Sequence, residues 1–303
     1  MNIIISSHFE EFFMPPEATA DLHLVKKEIQ KALQDKKTLL NEWLKFQSQS
    51  KGKFIRAQLA LASGELLNLP KNTVIKWSVA CELIHTASLI HDDICDQDEK
   101  RRGLTTIWKK YGVPAAICLG DFIIAQAFQK LSEIETGWHQ TILLDSLSLS
   151  MKKIIVGQVS DVGVDIKKIS MRDYEQIAYE KTGPLLMTPL DGMFRCKELP
   201  ESELNGLNKL MNSIGLAYQM INDYKNIKSK KTDISLNHLN FISILMKENN
   251  IKNSDKHSIK LSLTDAHDRI IKKLNEIDKY IHQVPIILQP IFISIANQLK
   301  ETL

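Results

Sequence analysis

The sequence predicts an all-α fold, and three observations support this prediction. Apolar residues recur at intervals of three and four over most of the chain, which is the spacing of one face of an α-helix. No alternation of apolar and polar residues, the pattern of a half-buried strand, is sustained over a useful length. Glycine is also scarce, with 12 in 303 residues, which disfavours an all-β fold that is rich in turns.

Four helices are predicted in the first hundred residues. The first covers residues 18–35 and has a regular apolar stripe, and a short second helix covers residues 39–46 and ends at a polar break. The third covers residues 52–69 and stops before a proline, which cannot continue a helix. The fourth covers residues 73–96, and its stretch from Leu83 to Ile90 is mostly apolar or small, as in a buried helix.

The rest of the chain continues in the same way. Further helices are predicted at residues 115–131, 139–165, 171–187 and 204–227, with two or three more between residues 236 and 303. Pro184 is expected to interrupt or kink its helix, because proline lacks a backbone donor. No internal repeat and no domain-sized linker is evident, so residues 1–303 are predicted to form a single domain.

Composition excludes several classes of function. A net charge of +3 is too small to argue for nucleic-acid binding, and no apolar run reaches the length of a transmembrane helix, about 18 residues. The four cysteines form no short-spaced pair, which is typical of reduced thiols. The start of the chain lacks the basic segment and cleavage site of a signal peptide. The expectation is a cytoplasmic protein.

Three carboxylates follow the apolar stretch of the fourth helix, at Asp92, Asp93 and Asp96. Asp92 and Asp96 are four residues apart, so they share one face of a helix. Like charges at this spacing repel each other, and a bound divalent cation would offset the repulsion. Carboxylate oxygens suit a hard ion, so the pattern predicts Mg²⁺ before Zn²⁺.

Basic side chains in the same part of the chain indicate that the ligand is a diphosphate. Arg101 and Arg102 follow the carboxylates closely, and arginine binds anions in a bidentate manner. Lys53 and Arg56 lie at the start of the third helix, where backbone N–H groups and the helix dipole attract phosphate. His85 lies seven residues before the first carboxylate, two turns along the same face.

These residues resemble a known family. The stretch from Leu89 to Asp96, followed by Arg101-Arg102-Gly103, resembles the first aspartate-rich motif of the trans-isoprenyl diphosphate synthases, the polyprenyl synthetase family. In chain order, the further matches are Gly52-Lys53-x-x-Arg56, His85, Gly120-Asp121, Gly157-Gln158-x-x-Asp161, Lys181-Thr182-Gly183 and Gly215-Leu216-Ala217-Tyr218-Gln219. The resemblance covers about residues 50–245.

The resemblance implies a fold and an activity. The fold would be an all-α bundle of the isoprenoid-synthase type, with about a dozen helices around a central cavity, and the protein would be a homodimer. The activity would be a Mg²⁺-dependent prenyl transfer that condenses an allylic prenyl diphosphate with isopentenyl diphosphate.

The resemblance also implies roles for the matched residues. Asp92 and Asp96 would hold Mg²⁺ against the allylic diphosphate, with Asp93 in support. Arg101 and Lys181 would bind the same diphosphate. The residues that would bind isopentenyl diphosphate are Lys53, Arg56, His85 and Arg102. The remaining implied site residues are Thr182 for substrate binding, Gln219 for catalysis and Asp223 for metal binding.

The second aspartate-rich motif departs from the family pattern Asp-Asp-x-x-Asp. Here the segment reads Asn222-Asp223-Tyr224-Lys225-Asn226, so only the middle acid remains. Asparagine is a neutral oxygen ligand and Lys225 adds an opposing charge, so we expect a weakened second metal site. Downstream, His238 stands where the family has a lysine.

Three functions remain open. A prenyl diphosphate synthase is preferred, because the residues implied to bind isopentenyl diphosphate are all present. A non-elongating enzyme of the same fold, either a class I terpene synthase or a prenyltransferase onto another acceptor, is favoured by the changed second motif. The intact first motif argues against a non-catalytic subunit. If the enzyme elongates chains, the small residues Ala87 and Ser88, just before Asp92, predict a product of C20 or longer.

Overall fold

The computed structural model describes residues 13–36, 38–50, 52–162, 169–229, 240–248 and 256–303. Within these residues it shows twelve α-helices and one two-stranded hairpin, so the all-α prediction is confirmed. The helices are α1 (Pro16–Ala32), α2 (Thr38–Ser48), α3 (Ile55–Leu66), α4 (Lys71–Cys95), α5 (Ile107–Tyr111), α6 (Val113–Ser132), α7 (Gly137–Val162), α8 (Met171–Cys196), α9 (Glu201–Ser229), α10 (Phe241–Glu248), α11 (Lys256–Ile281) and α12 (Gln289–Thr302). The hairpin strands are β1 (Lys100–Arg101) and β2 (Leu104–Thr105).

The described residues form two compact units. The first unit contains residues 13–148 and 188–198, and the second contains described residues from 149–187 and 199–303. Helices α7 and α8 contribute residues to both units. The prediction of a single domain stays a prediction.

Helix α4 is the centre of the first unit and is buried on nearly every side. It packs against α3 and α6, and its largest buried side chain, Trp77, is 0% exposed. The indole Nε1 of Trp77 donates a hydrogen bond to the carbonyl of Pro189 at 2.9 Å. An apolar helix of this kind is stabilised chiefly by burial of its side chains, which holds the acidic end of α4 in place.

In the second unit, α9 packs against α10, α11 and α12. A Cβ atom on Gly215 of α9 would lie 3.0 Å from the Cα of Gly183 on α8, so the two glycines allow a close approach of the helix backbones. The interruption that was expected at Pro184 does not occur, because α8 continues through Pro184 to Cys196. The alternative expectation, a kink at Pro184, stays a prediction. Proline inside a helix costs about 3 kcal/mol. Burial of apolar residues along α8, including Met187 and Leu190, offsets this cost.

Two further expectations can be compared with the structure. None of the described helices combines the length and the apolar character needed to cross a membrane. None of the four cysteines, which all lie within the described residues, forms a disulfide bond. The reduced state of the thiols stays a prediction.

Candidate active site

The three carboxylates of the aspartate-rich segment lie at the C-terminal end of α4. The helix ends at Cys95, and the backbone N–H of Asp96 donates to the carbonyl of Asp92 at 2.8 Å. Asp92 and Asp96 are part-exposed, whereas Asp93 is buried. The C-terminal end of a helix carries the negative end of its dipole, so the backbone does not stabilise carboxylates there. The field at this end of α4 therefore favours a cation.

Asp93 forms a buried ion pair with Arg101. The Nε of Arg101 lies 2.5 Å from Oδ1 of Asp93, and the two side chains are 11% and 8% exposed. Burial raises the pKa of Asp93 to about 6, although the charge and the hydrogen bond of Arg101 act in the opposite direction. The buried carboxylate of Asp93 is thus paired with Arg101, whereas Asp92 and Asp96 are part-exposed.

This donor set fits a magnesium ion that is shared with a phosphate ligand. Mg²⁺ keeps several waters and is commonly bound through one or two carboxylates together with substrate phosphates. In the part of the chain that the structure describes, no group of three or more His, Cys, Asp and Glu side chains is arranged to hold a metal ion. Asp92 and Asp96, one turn apart, match the two-carboxylate kind of site and not a closed cage of protein ligands.

The β-hairpin carries the two predicted arginines. Arg101 pairs with Leu104 across the antiparallel strands, so Arg102 and Gly103 form a two-residue turn. Both turn residues have positive φ, 51° for Arg102 and 80° for Gly103, as in a type I′ turn. Glycine adopts this conformation readily, but arginine does so rarely. Residues held in such conformations cluster at binding sites, which is consistent with the predicted role of Arg102.

Glu82 is a buried carboxylate of α4 that no motif in the sequence points to. It is 7% exposed, and its Oε1 accepts a hydrogen bond from the backbone N–H of Ala57 at 3.0 Å. The backbone N–H of Arg56 also donates to it. These N–H groups belong to the first turn of α3, where Phe54 precedes the helix with φ 57° and supplies no side-chain cap. Glu82 therefore caps α3 from a neighbouring helix.

The positive charges of Arg56 and Arg102 act on Glu82. Burial raises its pKa, and the nearby charges of Arg56 and Arg102 act in the opposite direction. Arg56 is only 6% exposed. A Cβ atom on Gly52 would lie 3.2 Å from Nη1 of Arg102, so the backbone before α3 passes close to the hairpin turn. Two arginines and one carboxylate leave a net positive charge, which favours an anion.

His85 lies on the same face of α4 as Glu82, three residues further along. It is 4% exposed, and neither ring nitrogen has a hydrogen-bond partner among the described residues. Burial lowers the pKa of His85 well below its usual value, and the charges of Arg56 and Arg102 lower it further. The imidazole is therefore neutral at pH 7 and offers one N–H donor. A buried donor beside two arginines fits an oxygen of a diphosphate.

Gly120 and Asp121 are explained by their contact with His91. A Cβ atom on Gly120 would overlap the imidazole of His91, so glycine allows α6 to approach α4 closely. The Oδ1 of Asp121 lies 3.6 Å from Nε2 of His91. Gly120 thus meets a packing requirement directly beside Asp92, whereas the side chain of Asp121 is 67% exposed.

The structure gives fewer contacts for the other predicted site residues of the first three helices and of α8. Lys53 is exposed just before α3, and its carbonyl accepts a hydrogen bond from Gln58 Nε2 at 2.7 Å. Lys181 and Thr182 lie on α8, but their side chains fall outside the described part of the chain. His238 also lies outside the described residues. The predicted roles of these residues stay predictions.

Gln219 and Asp223 lie one turn apart on α9, in the second unit. Asp223 is completely buried and accepts hydrogen bonds from the hydroxyl of Tyr174, from Nε2 of Gln219 and from the backbone N–H of Phe241, each at 2.8 Å. The predicted catalytic role of Gln219 and the predicted metal-binding role of Asp223 stay predictions.

These observations define the class of the protein. It is an all-α protein with a carboxylate pair that suits Mg²⁺ and an arginine cluster that suits a diphosphate. The family model of the polyprenyl synthetases matches residues 37–276, which is most of the chain. The chain belongs to the polyprenyl synthetase family, so the family prediction is confirmed.

Relatives of this chain carry related names. A short chain isoprenyl diphosphate synthase from Methanocaldococcus jannaschii is 32% identical over 201 residues, which is 64% of this chain and 62% of that protein. A farnesyl diphosphate synthase from Micrococcus luteus is 25% identical over 264 residues, which is 82% of this chain and 88% of that protein. The match to the first of these relatives thus spans less than two thirds of its length.

Solved structures of the family share the fold. A decaprenyl diphosphate synthase from Rhodobacter capsulatus matches with a TM-score of 0.80 at 18% identity, over 94% of this chain and 97% of that one. A geranylgeranyl pyrophosphate synthetase from the archaeon Geoglobus acetivorans matches with a TM-score of 0.76 at 22% identity, over 94% and 98%. At these identities the likeness concerns the fold alone, and it confirms the isoprenoid-synthase type.

Proposed function

We propose that this chain is an all-trans prenyl diphosphate synthase, which condenses an allylic prenyl diphosphate with isopentenyl diphosphate in the presence of Mg²⁺. The observation that carries the proposal is the cluster of Arg56, His85 and Arg102 around the buried Glu82. An enzyme that only ionises one allylic diphosphate has no use for a second anion site beside the carboxylate pair. The names of the relatives support the same reaction.

The first chemical step breaks the bond between the allylic carbon and the diphosphate oxygen. Asp92 and Asp96 would hold magnesium ions, and a bound divalent cation neutralises charge on the departing diphosphate. Arg101 donates its remaining N–H groups to the same diphosphate while its Nε stays bound to Asp93. No protein nucleophile is needed, because the attacking group is the double bond of isopentenyl diphosphate.

The second substrate binds through its own diphosphate. Lys53, Arg56 and Arg102 supply positive charge to it, and the neutral His85 supplies one N–H. Bound in this way, its double bond attacks the allylic cation and a new carbon–carbon bond forms. A proton then leaves the condensed cation for the departing diphosphate, which yields the longer allylic diphosphate. The protein contributes preorganised charge at each step.

A second candidate is a non-elongating enzyme of the same fold, either a class I terpene synthase or a prenyltransferase onto another acceptor. The amides Asn222 and Asn226, in place of carboxylates, favour it. It requires the allylic diphosphate but not isopentenyl diphosphate.

The deciding experiment is an incubation of purified protein with Mg²⁺ and isopentenyl diphosphate. Dimethylallyl, geranyl, farnesyl and geranylgeranyl diphosphates are supplied separately, and products are identified by mass spectrometry before and after phosphatase. Prenyl alcohols that are longer than the substrate and appear only after phosphatase are expected. Hydrocarbon or cyclic products formed without isopentenyl diphosphate would instead establish the second candidate. An absence of any product with all four substrates would favour a non-catalytic subunit.

We also infer a homodimer that acts in the cytoplasm. One chain has a mass of 34.5 kDa, so light scattering after gel filtration is expected to give twice this value. A single-chain mass would contradict the homodimer.

A Glu82→Gln variant is expected to raise the KM for isopentenyl diphosphate about tenfold and to change kcat less. Glutamine keeps an acceptor oxygen for the N–H of Ala57 but removes the charge that Arg56 and Arg102 share. The arginines then lose the negative charge that acts on both of them, at a cost of about 1.4 kcal/mol in binding for a tenfold change. Steady-state kinetics with each substrate varied in turn measure the effect.

The matched control is Glu65→Gln, an exposed glutamate on α3, which is expected to leave both constants unchanged. A lowered melting temperature of Glu82→Gln with an unchanged KM would show that Glu82 only stabilises the helix.

An Ala87→Phe variant is expected to shorten the product by at least one C5 unit. Ala87 is 1% exposed on α4, and Ser88 donates its hydroxyl to the carbonyl of His85 at 2.9 Å. Both side chains are small, so a product chain that lies beside this helix would not be obstructed by them. Because the site is buried, the added ring is also expected to destabilise the fold by about 1–3 kcal/mol. Product length is measured by mass spectrometry, with Ala87→Ser as a control without bulk. A folded variant with unchanged product length would remove the prediction of C20 or longer.

A further inference from the structure

Both oxygens of the Asp223 carboxylate are occupied by donors from the protein. The Oδ2 accepts hydrogen bonds from the hydroxyl of Tyr174 and from the backbone N–H of Phe241, and the Oδ1 accepts one from Nε2 of Gln219, each at 2.8 Å. The residue is 0% exposed. A metal ligand must direct at least one oxygen toward a place that a hydrated ion can enter, and this carboxylate directs neither toward solvent.

The three donors come from three helices. Tyr174 lies on α8, Gln219 lies on α9 with Asp223 itself, and Phe241 is the first residue of α10. The rings of Tyr174 and Phe241 stack with their centroids 5.7 Å apart. If Asp223 turned toward a metal ion, the buried N–H of Phe241 would lose this acceptor, and an unsatisfied buried donor is strongly unfavourable.

The accessible side of the same turns of α9 carries no carboxylate. Asn222, Lys225 and Asn226 are part-exposed and three or four residues apart, so they share a face. Amide oxygens are neutral ligands, and the ammonium group of Lys225 opposes a cation. The end of α4 has the same four-residue spacing at Asp92 and Asp96, but there both ligands are charged.

We propose that the end of α9 is not a divalent metal site in this chain, and that Asp223 is a buried acceptor that joins α8, α9 and α10. This role replaces the metal-binding role that the family resemblance implies for Asp223. The inference rests on the proposed function only in that the enzyme uses a divalent metal, which leaves Asp92 and Asp96 to bind it. The number of bound ions then depends on the carboxylates of the first unit alone.

The experiment counts bound Mn²⁺, which stands in for Mg²⁺, by electron paramagnetic resonance of the free ion. The proteins are wild type, Asp92→Asn, Asp223→Asn and the double variant Asn222→Asp/Asn226→Asp. The count is expected to fall in Asp92→Asn, to equal that of wild type in Asp223→Asn, and to rise by one in the double variant, because the double variant creates a carboxylate pair like that of α4. The melting temperature of Asp223→Asn is expected to fall.

Two results would overturn the proposal. One is a lower Mn²⁺ count in Asp223→Asn with an unchanged melting temperature. The other is an unchanged Mn²⁺ count in the double variant. A site that already bound an ion through Asp223 would bind it more tightly after the two substitutions, but it would not bind an additional ion. If Asp223→Asn does not fold, the structural role is supported, and the double variant, which alters only part-exposed residues, still decides the metal count. Tyr174→Phe removes one of the three hydrogen bonds and is expected to lower the melting temperature with the count unchanged.

Mn²⁺ counting does not depend on which substrate is extended. A failure of the elongation assay with the expected counts would therefore contradict the proposed function and leave the role of Asp223 intact. Elongation together with a loss of bound Mn²⁺ in folded Asp223→Asn would support the proposed function and contradict the role of Asp223.

Discussion

An Asp92→Asn variant loses at least about 10³-fold in kcat/KM for prenyl transfer, equivalent to about 4 kcal/mol of transition-state stabilisation. Asp92 and Asp96 are the part-exposed carboxylates at the end of α4, where the helix dipole adds to their negative field. Asparagine has the same shape but is a neutral ligand, so the variant weakens metal binding without creating a cavity. The measurement is incorporation of labelled isopentenyl diphosphate at saturating Mg²⁺, and Asp96→Asn is expected to behave in the same way.

The matched control is Asp145→Asn, an exposed aspartate on α7 in the first unit, which is expected to keep full activity. Thermal unfolding distinguishes a loss of metal binding from a loss of fold, and the melting temperature of Asp92→Asn is expected to stay within a few degrees of wild type or to rise, since a like-charge pair is removed. Turnover of Asp92→Asn near the wild-type rate would contradict the assignment of the carboxylate pair to the metal.

The periodic apolar pattern predicted the long helices well because burial of one face determines most of them. Helix α4 was expected at residues 73–96 and is found at Lys71–Cys95. The hairpin at residues 100–105 was not predicted, because strands of two residues show no alternation and its turn is Arg-Gly instead of the usual Asn-Gly. The interruption expected at Pro184 does not occur, because the local preference of proline is outweighed by the packing of residues elsewhere along the chain.

Part of the chemistry of the candidate site could be predicted from residue types. Arg56, His85 and Arg102 were expected to act together, and the charges of both arginines act on the same buried groups of α4. Glu82 was missed, although a glutamate three residues from His85 in an apolar helix was an available signal. The burial of Asp223 could not be predicted, because it depends in part on the backbone N–H of Phe241, 18 residues further along the chain.

An Arg101→Met variant is expected to lower the free energy of unfolding by about 3 kcal/mol, because it leaves the buried carboxylate of Asp93 without its partner. The pair itself adds little net stability, since burial raises the pKa of Asp93 to about 6 even with Arg101 present. The double variant Asp93→Leu/Arg101→Met is therefore expected to recover most of the loss. Urea unfolding at pH 8, where Asp93 is ionised in the wild type, gives the free energy of unfolding of the wild type, of the two single variants and of the double variant. The coupling energy between Asp93 and Arg101 is expected to be about 2–3 kcal/mol.

The surface pair formed by Lys109 and Glu99 provides the comparison, since its 2.6 Å contact joins side chains that are 45% and 60% exposed. Its coupling energy is expected to stay below about 1 kcal/mol. A coupling energy for Asp93 and Arg101 as small as this would mean that the buried pair is not coupled as the structure indicates.

Activity measurements on the same variants separate stability from function. If Asp93 serves to hold Arg101 where the allylic diphosphate binds, the double variant folds but stays inactive, because restored stability does not restore the guanidinium group. Recovery of activity together with stability would instead show that Arg101 acts only on the fold.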